Sequence, residues 1–167
     1  MELALYCPDT GFYEKDDDTI GRHGDFYTSV SVGSVFGELL AWQFADWMVQ
    51  FPMTPAAPPI NEVGGDLSGA VSHFLLVEAG AHRGRLAKDV LTGLRARRPD
   101  LFAQVQDWII EPSTRQRQRQ TATLQEFSPH VRWADSLALL GRQQPRLTGV
   151  IFANELLDAF PVHRLGW

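Results

Sequence analysis

The fold is decided by residues 74–84, which read Phe74-Leu75-Leu76-Val77-Glu78-Ala79-Gly80-Ala81-His82-Arg83-Gly84. A short apolar run without polar alternation is typical of a strand buried on both faces of a parallel sheet. A glycine-containing turn follows, and then Leu86, Val90, Leu91 and Leu94 recur at helical spacing between charged residues. The pattern predicts a strand, a tight turn and a helix, the first half of a nucleotide-type binding unit. Such turns also need glycine for steric reasons alone, so the rest of the chain must decide whether they bind a ligand.

Composition predicts one globular domain: the chain has 167 residues, of which 44% are hydrophobic and 21% charged. A net charge of -5 argues against non-specific binding to nucleic acid or acidic membranes. Arg95-Ala96-Arg97-Arg98 before Pro99 favours a helix end over a nucleic-acid patch. The single cysteine, Cys7, fits a reducing compartment, and no signal peptide or membrane-length apolar run is seen. We therefore expect a cytoplasmic protein.

The chain divides into three predicted segments. Residues 1–51 are expected to be a loop and a helix that pack on the core, and the helix runs from about Gly33 to Gln50. Its apolar residues follow a helical period: Val35, Phe36, Leu39, Leu40, Phe44, Trp47 and Met48. Residues 52–72 are rich in proline and glycine and predict a surface loop. Residues 73–167 are expected to form a partial Rossmann-like domain.

Three further strands are predicted, at residues 105–110, 131–133 and 149–153. Between the first two, Ser113 followed by Gln116 resembles a helix-capping box, and the Arg-Gln repeats after Ser113 indicate a solvated helix face. Strands thus alternate with helical patterns, which predicts an α/β fold with a parallel sheet.

Polar residues follow each predicted strand, and the carboxyl ends of parallel strands are where ligands bind in such sheets. They are Glu78 and Gly80, then Glu111, then Asp135, and finally Asn154 with Glu155. Glu111, after the second strand, suits a ribose, because a carboxylate can accept hydrogen bonds from both vicinal hydroxyls. Asp135 could accept a hydrogen bond from an exocyclic amine such as that of adenine. The set favours nucleoside binding.

Other chemistries find less support in the residues. The five histidines lack metal-ligand spacing, and one cysteine provides no zinc pattern. The chain contains no G-x-S-x-G elbow, Walker lysine loop or H-E-x-x-H helix. A nucleotide-binding dehydrogenase remains a weaker alternative, disfavoured by the Glu-x-Gly turn and by the Asn154-Glu155-Leu156-Leu157-Asp158 segment.

Four motifs together resemble the class I S-adenosylmethionine-dependent methyltransferases of the MidA type, the bacterial relatives of the mitochondrial complex I assembly arginine methyltransferase. The motifs are Gly24-Asp25-Phe26-Tyr27-Thr28-Ser29, Phe36-Gly37-Glu38-Leu39-Leu40, Val77-Glu78-Ala79-Gly80, and Asn154-Glu155-Leu156-Leu157-Asp158-Ala159-Phe160-Pro161-Val162. The resemblance spans nearly the whole chain and implies methyl transfer to a protein side chain, by analogy an arginine. It implies S-adenosylmethionine as the cofactor and a protein as the partner.

The resemblance also implies roles for individual residues. Gly80 and Gly84 would hold the methionine part of the cofactor, Glu111 the ribose, and Asp135 would border the adenine. The loop that contains Gly24, Asp25, Thr28 and Ser29 would cover the cofactor, and Glu78 and Asn154 complete the predicted cofactor set. Glu155 or Asp158 could orient the nucleophile of the acceptor.

Three departures from the family pattern affect this interpretation. His82 stands at the middle glycine position of a Gly-x-Gly-x-Gly turn, and Val30-Ser31 replaces the usual Pro-Glu after Thr28-Ser29. The chain stops at Trp167, whereas the resemblance implies a seven-stranded sheet, so we expect only the N-terminal half of the fold. The strand at 149–153 would then be an open edge, which could pair with another copy or a partner. A catalytically silent binding or assembly module is the rival hypothesis.

Overall fold

The computed structural model of the chain describes residues 4, 7, 9–12, 30, 33–51, 73–144, 146–157, 160 and 161. In chain order, its elements are α1 (Val35–Gln50), β1 (Phe74–Ala79), α2 (Arg85–Arg97), α3 (Pro99–Phe102), β2 (Val105–Ile110), α4 (Thr114–Thr123), a 3₁₀ turn (Gln125–Phe127), β3 (Val131–Ala134), α5 (Leu137–Gln143) and β4 (Gly149–Ala153). Strands and helices alternate from β1 onward, as the sequence predicts.

The four strands form one parallel sheet in the order β3-β2-β1-β4. From β1 the chain moves outward through β2 to β3, and then returns to place β4 on the other side of β1. The strand order therefore reverses between β1 and β4, which is the topological switch point where open α/β sheets bind ligands. The predicted α/β class with a parallel sheet is confirmed.

Apolar side chains cover both faces of the sheet. On one face, α1, α2 and the end of α4 pack over Leu76 and Ile109. On the other face, Leu140 of α5 joins Leu75, Val77, Trp108 and Ala134. Burial on both faces explains why β1 begins with four apolar residues in succession, because its first five residues are buried.

Most of the predicted apolar face of helix α1 is confirmed, because Phe44 and Met48 are buried and Phe36, Leu40 and Trp47 pack against the core. It begins at Val35, and its buried face consists of Gly37, Ala41, Phe44, Ala45 and Met48. Val35 and Leu39, expected on the apolar face toward the core, are 68% and 64% exposed. Where this face contacts α2 its residues are small, Gly37 and Ala41, because the two helices lie very close together there.

Helix α2 ends as predicted, at Arg97 before Pro99. The arginines of this region bind carboxylates: Arg95 pairs with Glu126 at 2.7 Å, Arg97 with Glu38 at 3.0 Å and Arg98 with Asp100 at 2.7 Å. The sequence did not indicate α3. Pro99 ends one helix and opens the next, because proline is compatible with a first helical turn, where its missing N–H is not needed.

Candidate functional site

The polar residues predicted at the strand ends lie in register. Ala79 is the partner of Ile110 and of Ala153, and Ile110 is the partner of Ala134. The residues that follow these four positions are Gly80, Glu111, Asp135 and Asn154. They are therefore brought to one edge of the sheet, as expected for the carboxyl ends of parallel strands.

The turn after β1 has an unusual backbone. Gly80 and Gly84 both have φ of 76°, and His82 between them has φ of 48°. Left-handed φ values are free of strain for glycine but costly for a residue with a Cβ. The N–H of Gly84 donates to the carbonyl of Ala81 at 2.7 Å and closes the turn before α2. The turn thus keeps the glycine-type conformation at His82 despite its side chain.

The first residues after β4 cross over this turn. A Cβ on Gly80 would lie 2.6 Å from Cδ1 of Leu156, so the absent side chain of Gly80 makes room for that leucine. Glu155, just before it, has φ of 50° and is exposed, and Asn154 is partly buried. The switch point between β1 and β4 therefore brings the two predicted functional segments into contact.

Glu111, directly after β2, has an oriented carboxylate that is largely buried. Its side chain accepts hydrogen bonds from the Ser113 N–H at 2.9 Å and from the Gln120 side-chain amide at 3.1 Å, one on each oxygen. The residue is 9% exposed. A carboxylate has about four lone-pair positions and can accept several hydrogen bonds at once, as binding of ribose hydroxyls requires.

Asp135, directly after β3, is tied to the same region by an arginine. Its exposed carboxylate forms an ion pair with Arg117 of α4, and the Arg117 Nε donates to the carbonyl oxygen of Glu111 at 2.6 Å. Arg117 therefore spans the ends of β2 and β3. The side chain of Asp135 is 64% exposed, and its carboxylate keeps lone pairs for a further donor.

Glu78 lies one residue before the strand end, and its carboxyl is buried beneath the site. Glu78 and Asp107 are each 2% exposed, and the β1–β2 register places them on the same face of the sheet. Burial, and next the charge of Asp107, raise the pKa of Glu78 to about 8. Burial raises the pKa of Asp107 to about 7. The N–H of Ala87 in α2 hydrogen-bonds to the Glu78 carboxyl, so Glu78 supports the turn from below.

Five of the predicted site residues lie outside the described part of the chain: Gly24, Asp25, Thr28, Ser29 and Asp158. The predicted loop of residues 52–72 lies outside it as well. Their roles stay predictions.

Sequence reasoning missed two polar residues of the site, Gln120 and Arg117, and its interpretation of the Arg-Gln repeats as a solvated face was wrong for one side of α4. Gln116 and Gln120 are 5% and 0% exposed, and Arg117 spans two strand ends. A signal was present, because Gln116, Gln120 and Leu124 are spaced by four residues and share one helix face. Leu124 marks that face as buried.

The arrangement fits a nucleoside-containing cofactor such as S-adenosylmethionine. It offers a tight glycine turn at a helix N-terminus, an oriented carboxylate after β2 and an exposed carboxylate after β3. Within the described ranges, no cluster of His, Cys, Asp and Glu side chains could hold a metal ion. None of the helices described is long and apolar enough to cross a membrane.

The fold and this edge define the chain as an α/β protein of the nucleotide-cofactor-binding type. Residues 60–167 match the protein family described as "Putative S-adenosyl-L-methionine-dependent methyltransferase". The chain belongs to this family. The resemblance drawn from the four sequence motifs is thereby confirmed.

Animal proteins are similar to this chain over nearly all of its residues. The chain is 28% identical to the mitochondrial protein arginine methyltransferase NDUFAF7 homolog of Drosophila melanogaster, covering 99% of this chain and 37% of that protein. It is 27% identical to mitochondrial protein arginine methyltransferase NDUFAF7 of Danio rerio, covering 100% of this chain and 40% of that protein. The chain thus spans less than half of the length of these curated relatives.

A solved structure agrees with the fold. A Burkholderia thailandensis protein crystallised with S-adenosyl-homocysteine superposes with a TM-score of 0.64 at 27% sequence identity. The match covers 96% of this chain and 36% of that protein. The order and direction of the strands in this chain are therefore those of a methyltransferase fold.

Proposed function

We propose that this chain forms the cofactor-binding part of an S-adenosylmethionine-dependent methyltransferase. The observation that carries the proposal is the register of Gly80, Glu111 and Asp135 at the switch-point edge of the sheet. Family membership and the S-adenosyl-homocysteine bound to the Burkholderia thailandensis relative support it.

Different residues would bind different parts of the cofactor. The turn between Gly80 and Gly84 would hold the methionine part, since its backbone N–H groups begin helix α2. Glu111 would hold the ribose hydroxyls, and Asp135 the adenine. Asn154, at the end of β4, would approach the methionine part from the opposite side of the switch point. The loop of Gly24, Asp25, Thr28 and Ser29 would cover the bound cofactor.

In this proposal the protein contributes mainly positioning. When bound, S-adenosylmethionine supplies an activated methyl group on a sulfonium, which is open to in-line displacement by a nucleophile. Glu155 is exposed beside the turn and would orient the acceptor nitrogen, with Asp158 as the second candidate. A carboxylate there would accept hydrogen bonds from the acceptor and align its lone pair, and such alignment can lower the barrier substantially.

We propose a protein arginine as the methyl acceptor. The support is that the animal relatives are named protein arginine methyltransferases. A guanidinium donates in a planar fork that matches carboxylates, which suits Glu155 and Asp158 as recognition groups.

We also propose a cytoplasmic location and no nucleic-acid or membrane partner. The net charge of -5 and the single cysteine support this, and so do the ion pairs of Arg95, Arg97 and Arg98 with carboxylates. The animal relatives are named as mitochondrial, which is the alternative location. Imaging of a tagged chain in its native cell distinguishes the two locations.

We propose in addition that the chain self-associates through the outer edge of β4.

A catalytically silent binding module is the second candidate, and His82 is the observation that favours it. Its left-handed φ of 48° places a Cβ where the family turn has glycine, at the point where a ligand would approach the backbone. Under this alternative the fold would be retained without productive cofactor binding.

Calorimetric titration with S-adenosylmethionine and S-adenosyl-homocysteine, with NAD as the control ligand, tests the proposal. We expect binding of the first two and none of NAD. No heat with any of the three would overturn the cofactor site for this chain.

Two variants then separate the candidates. His82→Gly removes both the side chain and the backbone strain, whereas His82→Ala removes the side chain beyond Cβ and keeps the strain. We expect His82→Gly to bind S-adenosyl-homocysteine more tightly than His82→Ala. If the original chain does not bind S-adenosyl-homocysteine and His82→Gly does, the histidine prevents binding. That result would support the alternative that the chain is a binding module without catalytic activity.

A further inference from the structure

Gln120 of α4 is the most completely buried polar side chain near the site, with an exposure of 0%. Its amide makes three hydrogen bonds to three different elements. The Nε2 donates to the carbonyl oxygen of His82 at 2.9 Å and to Oε2 of Glu111 at 3.1 Å. The Oε1 accepts from the indole Nε1 of Trp133 on β3 at 2.9 Å.

The orientation of this amide is determined by its neighbours. An indole N–H can only donate, so Trp133 requires the oxygen of the amide on its side. The amide nitrogen must then face His82 and Glu111, whose contacting atoms are a carbonyl and a carboxylate oxygen that accept. The two amide hydrogens are therefore directed to the turn after β1 and to the acid after β2.

These two acceptors belong to different parts of the proposed cofactor site. His82 lies in the turn assigned to the methionine part, and Glu111 is the acid assigned to the ribose. The Ser113 N–H binds Oε1 of Glu111 and Gln120 binds Oε2, so the two hydrogen bonds act on different oxygens of the carboxylate. Gln120 thus links the turn directly to the acid.

We propose that Gln120 is a positioning residue for cofactor binding: its buried amide holds the His82 carbonyl and the Glu111 carboxylate at the separation that the cofactor requires. This inference rests on the proposed function. Gln120 touches no ligand itself and acts through the turn and through Glu111. Preorganised partners bind more tightly because the cost of ordering them has already been met in the free protein.

Gln120→Met tests the proposal, because methionine has a similar length and fills the space without donating hydrogen bonds. We expect its Kd for S-adenosyl-homocysteine to rise about tenfold or more, since a hydrogen bond to a charged group and a second bond are lost. Gln116→Met is the matched control, with the same change at a buried position one turn earlier on the same helix. The control should keep the affinity of the original chain within about twofold, even if both variants unfold at a lower temperature.

Gln120→Glu tests the pH dependence of cofactor affinity, which would not change if Gln120 only stabilised the fold. It places a second carboxyl beside Glu111, and two close carboxylates share a proton at low pH and repel each other at high pH. The ratio of its Kd to that of the original chain should therefore rise between pH 5 and pH 8. This ratio decides the matter if Gln120→Met does not fold, and a ratio that stays constant with pH would overturn the inference.

The outcomes separate the two proposals. If the original chain binds no S-adenosyl-homocysteine, the proposed function fails and the role of Gln120 fails with it. If the original chain and Gln120→Met bind equally, the inference about Gln120 is overturned while the cofactor site stands. An equal loss of affinity in Gln116→Met and Gln120→Met would assign the effect to helix stability and would also overturn the inference.

Discussion

At the scale of single residues, two acids are buried on the same face of the sheet. Glu78 and Asp107 sit on neighbouring strands and the same sheet face, and within the described part of the chain Glu78 Oε2 and Asp107 Oδ2 have no hydrogen-bond partner. Glu78 receives the N–H of Ala87, which lies in the first turn of α2. Gly84, at the N-cap of α2, has no side chain that could accept a hydrogen bond from the first helical turn. The Glu78 carboxyl on the sheet accepts one instead, from the N–H of Ala87.

This pair predicts that the free energy of unfolding falls as pH rises. Both carboxyls have folded-state pKa values, about 8 and about 7, above their ordinary values of 4.5 and 3.8, so the folded state binds more protons between these limits. The contribution of the two carboxyls to the free energy of unfolding is therefore complete below about pH 4. It is lost progressively up to about pH 8, by at most about 1.4 kcal/mol per pH unit for each group. Urea unfolding at a series of pH values measures the slope.

Asp107→Asn should flatten this dependence. The substitution removes one titrating group and also the neighbouring charge that raises the pKa of Glu78. Asp100→Asn is the control, because Asp100 is exposed and its pKa is lowered to about 2 by its hydrogen bond with Arg98, outside this pH window. Equal slopes for the original chain and Asp107→Asn would contradict the prediction.

At the scale of elements, the contact between α1 and α2 depends on two glycines. A Cβ on Gly93 of α2 would lie 2.9 Å from the Cβ of Ala41, and one on Gly37 of α1 would collide with the Cβ of Asp89. Hydrogen in place of a side chain lets the two helices approach closely. This explains why α1 buries glycine and alanine toward α2 and leaves Val35 and Leu39 exposed.

Gly93→Ala should therefore destabilise the chain despite the better helix propensity of alanine. The added methyl group overpacks the contact with Ala41, and such overpacking costs about 1–3 kcal/mol. Gly141→Ala in α5 is the matched control, because a Cβ there meets nothing within 4 Å. It should be neutral or stabilise by up to about 1 kcal/mol. Chemical unfolding measures both, and a Gly93→Ala variant as stable as Gly141→Ala would refute close packing at this contact.

At the scale of the whole molecule, β4 is an outer strand of the sheet that the described residues form. Its side chains alternate between exposed and partly buried, and Ile151 is 54% exposed. An outer strand with apolar residues presents unpaired backbone groups and can pair with another strand. The proposed self-association follows from this edge.

Ile151→Lys should weaken such association, because a charge on an edge strand opposes strand pairing. Sedimentation velocity across a series of protein concentrations should show larger species for the original chain than for this variant. Leu137→Lys is the control, with a comparable exposure of 47% on helix α5, away from β4. A monomer at every concentration would contradict the proposal, and an equal effect of both lysines would remove β4 as the cause.

The strands and the polar strand ends were predictable from the sequence. The boundaries of β2 and β4 agree with the structure because each is a run that is mainly apolar and is bounded by turn or polar residues. The position of Glu111 and Asp135 at one edge of the sheet was predictable because parallel strands end at the same edge. Gln120 and Arg117 were missed, since their meaning depends on partners in other elements; His82 lies 38 positions from Gln120.

By itself, the sequence determined the α/β class, the parallel strands, the turn after β1 and the family resemblance, because these depend on local periodicity and on short motifs. Only the tertiary structure decided that Glu78 and Asp107 share a buried face and that α1 turns its small residues toward α2. It also decided that Gln120 connects the turn to Glu111. The physical reason is that burial and hydrogen bonding between distant segments are set by how the helices pack on the sheet, and a linear pattern does not contain those distances.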